Sequence, residues 1–136
     1  MRQVKLTLKI WLCALVCWGG AAFAEDRMDA AAFDAHVTGR TVTFRTDGVA
    51  VYGIERYLPG RRVMWSSLNG ICQYGVWFES KGDICFRYDG DPEHKCWTIY
   101  AAPDGMRGVY TTRPPYTVIY ELADRDDPLI CNDLSS

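Results

Sequence analysis

The hydrophobic rhythm of this chain changes at Arg40. From Glu25 to Gly39 (EDRMDAAAFDAHVTG) the pattern is helical. Phe33 and Val37 share one face at i, i+4 spacing, the alanines favour helix, Asp29 can cap the start and Gly39 can take a left-handed C-terminal position. So short a helix persists only if that face docks onto something else.

From Arg40 onward the period drops to two. Thr41 to Thr46 alternates with Val42 and Phe44 on one side, and the Asp47-Gly48 pair then turns the chain. Strands are expected over Val49 to Leu58, Arg62 to Ser66, Cys72 to Glu79, Asp83 to Tyr88, Lys95 to Ala101, Met106 to Thr112 and Tyr116 to Leu122. Between them stand Pro59-Gly60, Asn69-Gly70, Lys81-Gly82, Gly90-Asp91 and Pro103-Asp104-Gly105, while Pro114-Pro115 cannot donate to a ladder. About eight short strands at roughly ten-residue spacing point to an all-β fold. Hairpin-length connections make a sequential antiparallel meander the simplest topology. The expectation is therefore mainly β: a small lipocalin-like barrel or curled sheet with one short N-terminal helix. A two-sheet sandwich is the alternative.

The first residues belong to a different pattern. Arg2, Lys5 and Lys9 precede the apolar run Ile10 to Trp18, which ends in Ala22-Phe23-Ala24. These are the three parts of a secretory signal peptide, too short for a membrane span and without the small residue that lipidation at Cys13 or Cys17 requires. Cleavage near Ala24 and a periplasmic or secreted product are expected. The chain then divides into residues 1–24 (signal), 25–39 (helix), 40–123 (β-domain) and 124–136 (tail).

Removing the leader changes the charge and the cysteine count. The whole chain has 15 Lys and Arg against 17 Asp and Glu; without the three leader bases, 15 − 3 = 12 oppose 17, a net charge of −5. That sign speaks against nucleic acid or an anionic membrane surface as partner. The leader also takes two of the six cysteines, leaving Cys72, Cys85, Cys96 and Cys131. In a small exported domain these read as two disulfides. A hairpin tip at Gly90-Asp91 sets Cys85 opposite Cys96 and puts Ile84, Phe86, Tyr88, Trp97 and Ile99 on the other face. Cys72 and Cys131 remain, and their bond would tie the tail down.

Few residues offer chemistry. No C-x-x-C occurs among these cysteines, and the serines lack a nucleophile context, so no catalytic residue is assigned. His36 and His94 are expected to be solvated, and no metal or cofactor is expected. Glu55 and Glu79 stand inside strands. The expected placement is the solvent face, among Arg56, Arg62 and Arg87; an alternative in which they converge with Arg56 or Arg87 would make a carboxylate-dependent hydrolase or lyase. The aromatics weigh more. Trp65, Trp77, Trp97, Phe44, Phe86 and Tyr88 suffice to fill a small barrel, the simplest expectation, or to line one small ligand site, and Tyr52, Tyr57, Tyr74 and Tyr100 could form an exposed aromatic face.

The segments VYGIERYLPGRRVMW (Val51 to Trp65), C-x-x-G-x-W (Cys72 to Trp77) and I-C-F-x-Y…C-W (Ile84 to Trp97) resemble a group of small exported bacterial β-rich proteins of unknown function. The G-x-W of Gly75 to Trp77 is also similar to that of lipocalins, though it lies mid-chain instead of on the first strand. The resemblance implies an exported β-domain and brings no catalytic residue with it. The expected function is a monomeric, non-enzymatic binding or interaction module for a small ligand or an envelope protein; the alternatives are the carboxylate-dependent enzyme and, behind it, a metal-binding periplasmic protein. Trp65, Trp77, Trp97, Tyr57, Tyr74 and Tyr100 are its candidate contacts.

Overall fold

A computed structural model describes residues 26–132; the proposed signal peptide lies outside the described residues. One helix, α1 (Ala30–Val37), precedes eight strands: β1 (Thr41–Thr46), β2 (Val49–Leu58), β3 (Arg62–Ser66), β4 (Cys72–Ser80), β5 (Asp83–Tyr88), β6 (Lys95–Ala102), β7 (Gly105–Tyr110) and β8 (Val118–Glu121). They form a closed barrel in sequential order, every pair antiparallel, with β8 returning to β1. The meander closes, so no sandwich forms and no sheet edge is left unpaired.

Alternation decides which side chains enter the barrel. Val42 and Phe44 point inward from β1, as do Val63 and Trp65 from β3, Ile84, Phe86 and Tyr88 from β5, and Trp97 and Ile99 from β6. The β5–β6 register sets Cys85 opposite Cys96 on the outside, where they form a disulfide.

The two ends of the barrel differ. The connections at one end, Pro59–Arg61, Lys81–Gly82 and Pro103–Asp104, are tight turns. Helix α1 covers that end. Asp29 caps it by accepting from the Ala32 amide at 2.8 Å, and Glu79 on β4 accepts from the Ala30 amide at 3.0 Å. Phe33 and Val37 are fully buried; Phe33 meets Tyr57, Trp77 and Phe86 edge-on, with centroids 5.7, 5.0 and 6.3 Å away. The opposite end carries the longer loops 67–71, 89–94 and 111–117.

The tail is a strap. After β8 the chain runs back over the outer face of β1 to β4. The Leu122 amide donates to the Thr43 carbonyl, the Thr43 hydroxyl donates to Asp127 at 2.7 Å, and the Asn132 amide donates to the Gly70 carbonyl. The Cys72–Cys131 disulfide fastens it. This cover explains why Thr43, Ile54, Ser66 and Cys72, which point away from the interior, are nevertheless buried.

Candidate functional site

The interior is packed at the helix end and hollow toward the loops. A cavity of about 310 Å³ reaches from Phe33 and Tyr57, beside the helix, to Arg113, Pro114, Pro115 and Thr117 in the β7–β8 loop. Its walls are largely aromatic: Phe44, Tyr52, Trp65, Phe86, Tyr88, Trp97 and Tyr110. A filled core was the simplest expectation for these rings, but the structure leaves a space between them. Two glycines help to open it. Gly53 points inward on β2, and a Cβ there would stand 2.2 Å from the Trp65 ring, so the indole lies across the glycine. Gly108 on β7 has Ile119 and Ile99 atoms 3.0 and 3.1 Å from the place of a Cβ.

Glu55 is the one acidic residue on the cavity wall. It corrects an expectation: it is 4% exposed and faces the interior, not the solvent beside Arg56. Register is the reason. Glu55 pairs with Val42 on one side and Trp65 on the other, both inward residues. The Tyr88 hydroxyl donates to Oε1 at 2.8 Å and the Tyr57 hydroxyl to Oε2 at 3.3 Å. Tyr57, Val63, Gly75 and Tyr88 follow one another across β2 to β5, and Gly75 lets β4 approach β5 closely, since a Cβ there would stand 2.3 Å from the Arg87 carbonyl oxygen. No Lys, Arg or His bonds Glu55 among the described residues. Burial therefore dominates its titration and lifts its pKa from 4.5 to about 8, although both tyrosine bonds pull the other way. The same burial, with the carboxyl beside them, holds both tyrosines well above the ordinary phenol range.

The mouth is charged but balanced. Lys95 donates to Glu93 at 2.7 Å and lies 3.2 Å from Asp91; Arg113 holds Glu93 with bonds of 2.9 and 3.2 Å. These partners lower the Glu93 pKa to about 2. Two cations are thus held by two carboxylates there.

Of the expected contacts, Trp65, Trp97 and Tyr57 reach the cavity. Trp77 is buried near the helix, where Phe33 packs against it and its indole N–H finds no acceptor among the described residues. Tyr74 is exposed and Tyr100 half-buried on the outer wall, the latter under the Arg107 guanidinium at 4.5 Å. Tyr57 therefore leaves the expected exposed face for the core, because its parity matches Glu55. His36 also departs from expectation: it is not simply solvated but lies 2.6 Å from the buried Glu121 carboxylate, which Arg40 holds at 2.6 Å as well. His94 is exposed, edge-on to Phe78. Glu79 is exposed at the helix start and does not meet Glu55, so the two-glutamate arrangement does not assemble. Among the described residues no group of three His, Cys, Asp or Glu side chains is placed to hold a metal ion, and no helix is long and apolar enough to cross a membrane.

Sequence reading missed Tyr110 as a site residue, took Phe44 and Tyr88 only as barrel-filling aromatics, and placed Glu55 on the solvent face. For Glu55 a signal was present: Val42 faces the core, and a slip of two residues at the Asp47-Gly48 hairpin still leaves Glu55 on the Val42 face. Comparison with family models, with curated proteins and with solved structures found no match.

Proposed function

We propose that this protein is an exported, disulfide-stabilised binding module that carries a small, largely apolar ligand inside its barrel. The observation that carries the reading is the cavity of about 310 Å³, lined by aromatic rings and reaching the loop end of the barrel. Ligand sites commonly occupy about 300–1,000 Å³ and combine apolar walls with a few placed polar groups; this space falls at the small end of that range. Export rests on the leader-like sequence and on two disulfides, which suit an oxidising compartment. A binding role accounts for the interior better than catalysis does, because Glu55 is accompanied there by tyrosine hydroxyls and, among the described residues, bonds no nucleophile or second carboxylate.

Titration calorimetry with indole, a neutral aromatic of suitable size, tests the reading. Binding by the wild type and its loss in Thr117→Trp, which places a large ring at the mouth, is the expected result. No binding of indole, or equal binding by both proteins, would overturn it.

A further inference from the structure

An interior carboxyl is costly in an apolar chamber, and its partners say what it suits. Glu55 receives two hydroxyl bonds, which leave lone pairs on both oxygens free to accept more. Among the described residues no cation bonds it, and the space above it is walled largely by aromatic faces. Phe44 and Trp65 have centroids 6.5 Å apart, Tyr52 lies 5.8 Å from Trp65, and Trp97 and Tyr110 are 4.9 Å apart across the cavity rim. Aromatic faces with a carboxylate at their base are the combination that attracts an organic cation. The alternatives fit less well. An anion would find Lys95 and Arg113 already bound to Glu93, and a metal ion would find one carboxylate only.

We propose that the cavity binds a small organic ammonium ion with an apolar body, its nitrogen seated against the Glu55 carboxylate and its body against Phe44, Trp65 and Trp97. This rests on the barrel being a ligand-binding module. The charges balance as follows. Near neutral pH the free protein holds Glu55 protonated, and an arriving ammonium takes the place of that proton, which leaves to solvent. The groups facing Glu55 are Tyr57 on its own strand, Tyr88 on β5 and, along the cavity, Tyr52 and the cations Lys95 and Arg113. Beyond Tyr57 lie Glu121, Arg40 and His36, which bond one another. Tyr57 and Tyr88 stay neutral through this range, and Lys95 and Arg113 stay charged, their pKa values raised by Glu93. Glu55 is therefore the group whose proton the ligand displaces.

The test compares 2-phenylethylammonium with its neutral isostere 2-phenylethanol on the full barrel by calorimetry. Affinity for the ammonium should rise about tenfold per pH unit between pH 6 and 8 and level off above, because one proton is released per cation bound. At pH 7, titrations in buffers of different ionisation enthalpy should show close to one proton released. Glu55→Gln should weaken the ammonium at least tenfold at pH 8 and leave the alcohol unchanged. If that variant does not fold, the pH slope and the proton count of the wild type decide alone. Equal affinity for both probes, with no pH slope and no proton release, would overturn the ammonium assignment while the binding-module reading stands. Failure of both probes and of indole would overturn both.

Discussion

The barrel holds two buried glutamates, and their surroundings differ in kind. Glu121, whose side chain is 1% exposed, lies near the helix end, fixed by Arg40 and His36 at 2.6 Å each. Those partners are themselves 42% and 26% exposed, so they stay hydrated while they hold the carboxylate. The arrangement joins α1 and the chain that follows it to β8. Glu55, equally deep, is given hydroxyls only, and it opens on a cavity. A buried charge supplied with its countercharge fastens structure. A buried acid supplied with neutral donors and an open space is prepared for something that arrives later.

The largest expected effect separates the two by titration. The folded-state pKa of Glu55 is raised above its unfolded value of 4.5 to about 8. Its contribution is thus fully present below pH 4.5 and is lost as pH rises through 8, since the folded chain keeps a proton that the unfolded chain has released. The wild type should lose on the order of 4–5 kcal/mol from this group over that window, and Glu55→Gln should lack the loss, as urea unfolding at several pH values would read. Asp91, Glu93 and Asp127 act in the opposite sense, because their partners depress them, but their range lies below about pH 4.5. An identical pH slope in wild type and Glu55→Gln would erase the contrast.

Next in size, Arg40→Met leaves the Glu121 carboxylate with His36 alone and should cost about 3 kcal/mol at pH 8. A loss below about 1 kcal/mol there would mean that charge pairing does not hold Glu121. Gly53→Ala should push the Trp65 ring from its seat, costing about 1–3 kcal/mol and weakening indole at least tenfold. Undiminished indole binding by a folded Gly53→Ala protein would show that the Trp65 position does not shape the cavity. Smallest is Thr43→Val, which removes the hydroxyl bond to Asp127 and should cost about 1 kcal/mol without altering ligand affinity. A change in affinity would tie the outer strap to the interior.

The fold was largely legible because its signals are local. Turn dipeptides and period-two alternation fixed the strands, and the Gly90-Asp91 tip fixed Cys85 against Cys96. The interior was less so. Glu55 and Tyr57 sit in a strand, Val49 to Leu58, that carries apolar residues and one charge on each face, so hydropathy alone gives no inside. The strap resolves the ambiguity, since it bonds Thr43, the outward partner of Ile54, through Leu122 and Asp127; these contacts come from the far end of the chain and have no local trace. The hollow was illegible for another reason. Whether rings fill a space depends on how they tilt, and that is settled by close approaches such as Trp65 over Gly53.

The β1–β8 pairing joins Phe44 to Glu121, whereas every other ladder joins neighbours in sequence. Seven hairpins can form early, each at small loop-closure cost; the eighth must bring distant segments together, an extra cost of roughly 2 kcal/mol by the logarithm of loop length. The reinforcements gather at that junction: Arg40 and His36 on Glu121, the Leu122 amide on Thr43, and Thr43 on Asp127. An open sheet would already contain every hairpin and the Cys85–Cys96 bond, yet it would enclose nothing. The chamber exists only once β8 meets β1, so ligand capture can report barrel closure in a refolding experiment while far-ultraviolet signals also report the hairpins.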